Sequence, residues 1–290
     1  MSQNGSVELE AEELENGEAH ADELEGNMQD DIACGPGPNA DQPDDYEQYI
    51  SSKVRNLYDV YSYRHAASIL ANSFPDEYTE IEQALLSFEL TTTEIGTPGG
   101  NESVIPRKFS SVLRPAGWVE TRIQGDLLIR LKEYEEQIIE GNRSKKSLRP
   151  ETPPHVIKNF IDGHKIDYVK GRVAFDLEWN SKDQTFDRDL YALRTFHECG
   201  IISVGVLVTR SARLNPIFDS IPRLGKDGRP VFYTGGKKAG QPMSVKDKYG
   251  ASTTWMGKLL YRLNAGRHGG CPVLVFGITE KLIADWKTKK

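Results

Sequence analysis

The fold is decided by the stretch His164-Lys165-Ile166-Asp167-Tyr168-Val169-Lys170-Gly171-Arg172-Val173-Ala174-Phe175-Asp176-Leu177-Glu178-Trp179-Asn180. Two alternating runs, 165–169 and 172–180, flank the pair Lys170-Gly171. Glycine at the second position of a two-residue turn suits the positive φ of a type I′ hairpin. The sequence therefore predicts a β-hairpin that turns at Lys170-Gly171.

The second strand of this hairpin has two unlike faces, because side chains on a strand alternate. One face is apolar and carries Val173, Phe175, Leu177 and Trp179; the other carries Ala174, Asp176, Glu178 and Asn180. If Val169 pairs with Arg172, Asp167 lies opposite Ala174 and about 7–8 Å from Asp176 on the same face. We therefore expect one core face and one acidic face.

Asp167, Asp176 and Glu178 are candidate metal ligands on that acidic face. Carboxylates that crowd together need a positive charge among them, and oxygen ligands with room for water suit a hard cation such as Mg²⁺. Acidic residues on the solvent face of an amphipathic strand are also common and serve only solubility. The spacing alone leaves both interpretations open.

The amino-acid composition limits the classes to which the protein can belong. The chain has 290 residues and 38% hydrophobic residues, enough for a substantial core. Its three cysteines, Cys34, Cys199 and Cys271, show no paired spacing, so neither a disulfide framework nor a zinc site is indicated and a reducing cytoplasm is expected. No apolar run reaches the length of a membrane span, and the N-terminus is acidic, unlike a signal peptide.

The charge is distributed unevenly along the chain. Residues 1–52 contain 15 of the 43 Asp and Glu and no Lys or Arg, so the remainder has 36 basic against 28 acidic residues. We expect a disordered acidic tail over 1–45 and a folded basic domain over 46–290. A basic body suggests a polyanion partner, and the tail is either a solvated appendage or a competitor for the same surface.

Periodicity outside the hairpin predicts an α/β sheet core. Helical spacing of apolar residues predicts helices over 46–73, 77–90, 107–113, 185–198 and 255–263. Strands are predicted over 118–122, 201–209 and 272–278, with 126–140 as a strand running into a helix. Basic, Gly- and Pro-rich stretches predict a loop over 141–154 and an extended segment over 210–250.

Hydroxyl and amide side chains near the acidic face are further candidates. Ser252, Thr253 and Thr254 precede a predicted helix, where they either cap it or contact phosphates and base edges. Asn180 either orients a water molecule or is a turn residue at the strand end. Arg188 and Asp189, on the next helix, are interpreted as a surface ion pair.

Ile166-Asp167-Tyr168-Val169-Lys170, followed by Asp176-Leu177-Glu178, resembles the active-site hairpin of the BglII- and BstYI-type type II restriction endonucleases of the PD-(D/E)XK superfamily. The segment Ala116-Gly117-Trp118-Val119-Glu120-Thr121-Arg122-Ile123 is similar to a Gly-Trp-x-Glu-x-Arg-Ile segment of the same family. The resemblance covers about residues 50–285 and implies a restriction-endonuclease-like core, a central mixed β-sheet flanked by helices.

The resemblance also implies roles for single residues. It makes Asp167 and Asp176 catalytic metal ligands and places Glu178 where the superfamily most often has lysine, so Glu178 either holds a second ion or accepts the proton of water. It places Lys182 near the scissile phosphate or the DNA bases, although an exposed lysine after a strand end needs no such role.

The function that these expectations favour is a Mg²⁺-dependent endonuclease that cuts double-stranded DNA as a homodimer at a short palindrome, which the resemblance places around GATC. One alternative is a sequence-specific DNA-binding protein of the same fold that has lost cleavage. Another is an unrelated α/β protein whose basic body binds RNA or a different polyanion, and which has no need of a metal.

Overall fold

A six-stranded mixed β-sheet is the centre of the computed structural model, which describes residue 41 and residues 43–98, 104–139, 143–248 and 253–286. In chain order the elements are α1 (Ser52–Leu57), β1 (Tyr58–Tyr63), α2 (Ala66–Ser73), α3 (Pro75–Ser87), α4 (Thr92–Gly96), α5 (Val104–Leu113), β2 (Val119–Arg122), β3 (Gly125–Ile129), β4 (Tyr134–Ile139), β5 (Arg143–Leu148), β6 (His155–Ile161), β7 (Lys165–Lys170), β8 (Val173–Glu178), α6 (Thr185–Glu198), β9 (Val204–Arg210), α7 (Asn215–Ser220), α8 (Val245–Lys248), α9 (Met256–Asn264) and β10 (Val273–Ile278). Short 3₁₀ helices lie at Ala212–Leu214, Gly236–Lys238 and Glu280–Leu282.

The strands of the sheet are ordered β1-β10-β9-β8-β7-β2. The three strands β8, β9 and β10 are parallel, and β1 and β7 run antiparallel to their neighbours. Because β8 and β9 are parallel, the chain crosses over between them through α6, as a parallel pair requires. The mixed sheet and its flanking helices confirm the predicted fold class.

One face of the sheet forms the main hydrophobic core. Phe175, Val206 and Phe276 point into it and pack with residues of α2, α3 and α5. The ring of Phe109 lies 5.3 Å from the ring of Phe175 and 4.6 Å from that of Phe88. The apolar row predicted for β8 is therefore the core face.

The opposite face of the sheet is covered by α6 and α9. A Cβ atom added to Gly205 of β9 would lie 2.7 Å from Cδ2 of Leu193 in α6, and one added to Gly277 of β10 would lie 2.6 Å from Cε of Met256 in α9. These glycines let the helices approach the sheet closely. The approach brings the side chains of α6 onto the face that carries Asp176 and Glu178.

The described chain divides into two compact units, one of residues up to 120 and from 166 onward, and a second of Thr121–Lys165. In the second unit, β3 pairs with β6 and β4 pairs with β5, both antiparallel. Strands were expected only in part here: the helix predicted toward residue 140 is wrong, and the loop predicted over 141–154 is wrong for 143–148, which form β5, and right for 149–154. Glu136 lies opposite Lys146 in β5, so the charges that suggested a polar helix and a basic loop are cross-strand neighbours.

The long helix predicted over 46–73 is also wrong in its middle. The chain there forms α1, then β1, then α2, and β1 is an edge strand paired with β10. The segment Tyr58–Tyr63 is rich in aromatic and β-branched residues, and its first four positions alternate between buried and half-buried. That period of two favours a strand over the helical reading. The helices predicted near α3, α5, α6 and α9 and the strands predicted at β2, β9 and β10 are confirmed.

The segment expected to be extended over 210–250 is held by backbone contacts. Isolated bridges join Pro222 to Ser244, Leu224 to Pro230 and Phe232 to Pro242. Of the acidic tail expected over 1–45, residues 1–40 and 42 lie outside the described residues. Asp41 accepts a hydrogen bond from Nε of Arg64 at 2.9 Å, so the described end of the tail contacts the body.

The helices in the described part of the chain are short or amphipathic. None of them combines the length and the apolar character that crossing a membrane requires.

Candidate active site

The hairpin formed by β7 and β8 turns at Gly171-Arg172, one residue later than predicted. Gly171 has φ of 53°, and glycine at the first of two turn positions is typical of a type II′ turn. The pairing is therefore Lys170 with Val173 and Val169 with Ala174, and the predicted pairing of Val169 with Arg172 is wrong. The register extends to Tyr168 opposite Phe175, and continued by one residue it puts Asp167 directly opposite Asp176, closer than the predicted diagonal.

Asp176 is the buried centre of the acidic face, with 6% of its surface exposed. Its Oδ1 accepts a hydrogen bond from the backbone N–H of Leu177 at 2.9 Å. Burial raises the pKa of this carboxyl well above its ordinary value, and the carboxylates of Asp189, Asp167 and Glu178 raise it further. The four acidic side chains therefore form one electrostatic group.

Glu178, two residues along β8, lies on the same face and is also buried. Its Oε1 lies 3.4 Å from Nη2 of Arg188. Burial raises the pKa of Glu178, although hydrogen bonds with Ser181 and Asp189 and the charge of Arg188 act in the opposite direction. Its second oxygen, Oε2, is buried and receives no hydrogen bond from any residue that the structure describes.

Asp189 is the residue that the sequence interpretation placed wrongly. It is 3% exposed, and its Oδ1 accepts hydrogen bonds from Nε and Nη2 of Arg188 at 3.1 and 2.9 Å. Burial raises its pKa to about 8, the neighbouring Glu178 carboxylate adds to the shift, and Arg188 partly offsets it. Burial beside the Glu178 carboxylate therefore favours the protonated form of Asp189.

Arg188 supplies positive charge to this group from outside. Its side chain is 63% exposed, while the carboxyl groups of Glu178 and Asp189 that it contacts are 8% and 2% exposed. A solvated guanidinium at the rim compensates buried carboxylates only in part. Arg188 therefore neutralises only part of the negative charge of the acidic face.

The donor set of the acidic face fits a divalent cation in its chemistry. It consists of oxygen atoms only, and within the described ranges Oε2 of Glu178 and Oδ2 of Asp189 are buried without hydrogen-bond donors. In the part of the chain that the structure describes, no three His, Cys, Asp or Glu side chains are already placed to hold one ion together. Asp167, which is exposed, is the member that must approach the others.

Asn180 follows β8 and has a strained backbone, with φ of 55°. Both polar atoms of its side-chain amide are buried and have no hydrogen-bond partner among the described residues. Left-handed conformations of residues other than glycine and unpaired buried amides are both costly, and both concentrate at functional sites. The prediction of a turn residue at this position agrees with the backbone.

Lys182, Thr253 and Thr254 are brought together beside the end of β8. Lys182 forms a backbone bridge with Thr253, and the backbone N–H of Thr254 donates to the carbonyl of Ser181 at 2.8 Å. The hydroxyl of Thr254 is occupied, because it accepts from the N–H of Ser181 at 3.1 Å. Lys182 itself is exposed.

The predicted helix cap over 252–254 is wrong for the described residues. Trp255 occupies the N-cap position of α9 without a side-chain cap bond, and Ser252 lies outside the described residues. Thr253 and Thr254 are instead held by Arg210, whose Nη2 donates to the Thr253 hydroxyl at 2.8 Å and whose Nε donates to the Thr254 carbonyl at 3.0 Å. Arg210 is buried, and this burial lowers its pKa to about 10.

Sequence analysis missed the roles of Asp189 and Arg210, and the sequence contained a signal only for Asp189. Asp189 falls three residues after Phe186 and four before Leu193, on the buried stripe of α6, where an acidic residue is unusual. Arg210 ends a buried strand, and nothing in its sequence neighbourhood indicated that it would bond to residues more than forty positions away.

A mixed sheet with an acidic hairpin at its centre and helices on both faces defines a restriction-endonuclease-like α/β protein. The family model of restriction endonuclease BglII/BglIII matches residues 58–278, which is most of the chain. The protein belongs to this family. No curated protein matches the chain.

Family membership establishes the general activity. The protein is a type II restriction endonuclease in kind, a hydrolase that acts on DNA, and its partner is therefore DNA. Restriction endonucleases generally use divalent metal ions.

Proposed function

We propose that the protein is a Mg²⁺-dependent type II endonuclease of the PD-(D/E)XK class in which Asp167, Asp176 and Glu178 bind the metal and catalyse hydrolysis. The single observation that carries this proposal is the shared position of these carboxylates on one sheet face. They lie close enough for Asp167 to raise the pKa of both Asp176 and Glu178. A group of like charges kept together at a cost to stability is typical of a functional site.

A divalent cation bound there would neutralise charge on the scissile phosphate and lower the pKa of the attacking water. The chain's own residues have separate tasks. Asp176 is fixed by the N–H of Leu177 and serves as the rigid ligand. Glu178, which shares a proton with Asp189, serves as the group that accepts the proton of water. Exposed Asp167 completes the site when the phosphate approaches.

We infer that the substrate contacts come from the residues that follow β8. Asn180 offers a buried unpaired amide, and Lys182 is an exposed cation joined to Thr253. An amide suits a base edge, and a lysine suits a phosphate or a guanine. Thr254 supports this surface through its bonds to Ser181, and Ser252 is proposed only from its place in the sequence.

The remaining parts of the proposal rest on the family. We propose a homodimer, because cutting both strands of a palindrome symmetrically follows from two-fold symmetry of the protein. The resemblance of the hairpin to the BglII and BstYI type supports a GATC-centred site. The described cysteines, Cys199 and Cys271, are free thiols, which supports a cytoplasmic location.

The test is cleavage of unmethylated phage DNA by the purified wild type, with Mg²⁺ and with EDTA, beside an Asp176→Asn variant. We expect discrete fragments only with Mg²⁺, and a loss of rate of at least about 100-fold in the variant, because several kcal/mol of charge stabilisation are removed. Sequencing the fragment ends gives the site directly. Glu198→Gln is the matched control, since it removes an exposed carboxylate of α6 that pairs with Arg194 away from the acidic face.

The outcomes separate the candidate functions. A metal-independent gel shift on DNA without cleavage would favour the inactive DNA-binding protein, for which the contact of Arg188 with Glu178 and Asp189 is the supporting observation. Cleavage by Asp176→Asn at the wild-type rate would show that the hairpin does not take part in the hydrolysis.

A further inference from the structure

Asn180 has a left-handed backbone between two neighbours that are each held in place. Its φ of 55° lies in a region that residues other than glycine enter only at a cost. The ring of Trp179, the residue before it, lies 6.2 Å from the ring of Phe218 in α7. Ser181, the residue after it, exchanges two hydrogen bonds with Thr254 at 2.8 and 3.1 Å. The chain on both sides of Asn180 is therefore fixed by other elements.

Phe218 and Thr254 are both contacted by Arg210, the last residue of β9. Nε of Arg210 donates to the carbonyl of Thr254 at 3.0 Å, and Nη2 donates to the hydroxyl of Thr253 at 2.8 Å. The guanidinium carbon lies 4.8 Å from the centre of the Phe218 ring, and Nη1 donates to Oδ1 of Asn215, in the same helix, at 2.9 Å. A single guanidinium group therefore contacts the supports on both sides of the strained residue.

The surroundings of Arg210 indicate that the shape of its guanidinium group is used, and not its charge alone. Arg210 is 3% exposed, and its partners among the described residues are a carbonyl, a hydroxyl, an amide oxygen and an aromatic ring. None of these is a carboxylate, so no ion pair within the described chain offsets the burial of the charge. The planar guanidinium donates along fixed directions that the ammonium group of a lysine does not reproduce.

We propose that Arg210 is a positioning residue for DNA recognition, which fixes the left-handed backbone of Asn180 and so directs the Asn180 amide toward the base edges. The inference rests on the proposed function, in which Asn180 contacts DNA. A strained conformation persists only where the surrounding structure determines it from several sides. Both amide atoms of Asn180 are buried without a hydrogen-bond partner among the described residues, so no contact within the described chain accounts for the strain. Arg210 acts through Asn180 and does not itself contact the substrate.

The first test compares the urea unfolding of the wild type, Asn180→Gly, Arg210→Lys and the double variant, with EDTA present. Glycine adopts positive φ without strain, so we expect Asn180→Gly to raise the urea midpoint of the wild type. If Arg210 imposes the strain, the same change should raise the midpoint of Arg210→Lys by less than half as much. An equal rise in both backgrounds, or no rise in the wild type, overturns the inference.

Phe218→Leu repeats this comparison with a milder change, which decides the question even if Arg210→Lys does not fold. It leaves every hydrogen-bond acceptor of Arg210 in place and removes only the ring between Arg210 and Trp179. We expect Asn180→Gly to raise the urea midpoint by less in this background than in the wild type. A rise as large as in the wild type rejects the support of Asn180 through Phe218.

The second test measures cleavage of a duplex that carries the site mapped from the fragment ends, and of duplexes changed at one base pair each. We expect Arg210→Lys and Asn180→Ala each to lower the ratio of kcat/KM between the mapped site and one changed site at least fivefold. The double variant should lower the same ratio no more than twofold beyond Asn180→Ala, because both changes remove the same contact. Losses that multiply in the double variant would show that Arg210 acts apart from Asn180, and this rejects the inference.

Arg213→Lys is the control for both tests. Arg213 follows Arg210 by three residues, and its guanidinium donates to Asp59 in β1 and to Glu280. It should leave the ratio of kcat/KM within twofold of the wild type and the midpoint gain from Asn180→Gly unchanged. Equal effects of Arg213→Lys and Arg210→Lys would mean a general loosening of the fold and would reject the inference.

The two tests keep this inference apart from the proposed function. If the wild type cleaves no DNA, the proposed function fails, while the urea comparison still supports or rejects the positioning of Asn180 by Arg210. If the wild type cleaves and Arg210→Lys keeps the full ratio of kcat/KM, the function stands and the role of Arg210 in recognition is rejected.

Discussion

Two carboxylates on one strand, Asp176 and Glu178, have different surroundings. Asp176 accepts a backbone N–H and forms no ion pair with any described residue, whereas Glu178 lies 3.4 Å from a guanidinium nitrogen of Arg188. Environments that differ in this way push the protonation behaviour of like groups apart. At the scale of the residue, these surroundings support the proposed division of roles, with Asp176 as the fixed ligand and Glu178 as the group that exchanges a proton.

The proton on Asp189 has a consequence for stability. The folded protein retains it up to about pH 8, whereas an unfolded aspartate has lost it above its ordinary pKa of 3.8. Since the folded state binds more protons in that interval, the free energy of unfolding falls as the pH rises through it. In Asp189→Asn, with EDTA present, we expect a shallower fall between pH 5 and pH 8, measured by urea unfolding.

Glu198→Gln serves as the control for that measurement, because it removes an exposed carboxylate from the same helix. It should keep the wild-type slope. Equal slopes for the wild type and Asp189→Asn would show that Asp189 is ionised in the folded protein and would contradict the proposed proton sharing with Glu178.

Single residues of the site were predictable where strand alternation alone decides the face. Asp176 and Glu178 share a face because they are two positions apart in β8. The charge state and partner of Asp189 depend on how closely α6 approaches the sheet, which alternation does not encode. Asp189 was interpreted as half of a surface ion pair with Arg188. The ion pair forms, but only Arg188 is exposed, and Asp189 is buried.

At the scale of the element, the position of α6 depends on a glycine in β9. Gly205→Ala would bring a methyl group to 2.7 Å from Cδ2 of Leu193, which is itself buried. We expect a loss of about 1–3 kcal/mol in the free energy of unfolding, because an overpacked core must shift. We also expect reduced cleavage, since the same helix carries Arg188 and Asp189.

Gly270→Ala is the matched control for Gly205→Ala, because a Cβ atom at Gly270 meets nothing within 4 Å. Urea unfolding of both variants measures the difference. If Gly205→Ala were as stable as Gly270→Ala, the close approach of α6 to β9 would not determine where the helix lies.

Whole elements were predictable where periodicity extended over ten or more residues, as in α6, and where a strand was buried on both faces, as in β9 and β10. Prediction failed for β1 and β4. Both strands are six residues long, and short segments flanked by polar residues match a helical spacing as well as an alternating one. The turn of the central hairpin was displaced by one residue, because Gly171 suits either position of a two-residue turn.

At the scale of the whole molecule, the acidic N-terminal stretch and the basic remainder of the chain have opposite effects on a polyanion. The acidic stretch repels it and the basic remainder attracts it. Deleting residues 1–40 removes eleven carboxylates and no Lys or Arg, while the contact of Asp41 with Arg64 is retained. We expect tighter non-specific DNA binding at about 50 mM salt and a difference that shrinks by about 200 mM, because screening weakens the repulsion. Fluorescence anisotropy across a salt titration measures it.

A full-length chain with those eleven residues changed to Asn or Gln distinguishes charge from length. It should bind DNA as the deletion does. Affinity that is the same for all three proteins at low salt would mean that the acidic stretch is a solvated appendage with no influence on DNA.

The order of the strands in the sheet determines when the central sheet can be completed during synthesis of the chain. β10 lies between β1 and β9, yet it is translated about 210 residues after β1, an interval of about 10–40 s on a ribosome. Until then β1 has no neighbour in the sheet, and the face that carries Asp176 and Glu178 lacks the strand that supports α9. A nascent chain that has not yet reached β10 therefore lacks the strand that joins β1 to the rest of the central sheet.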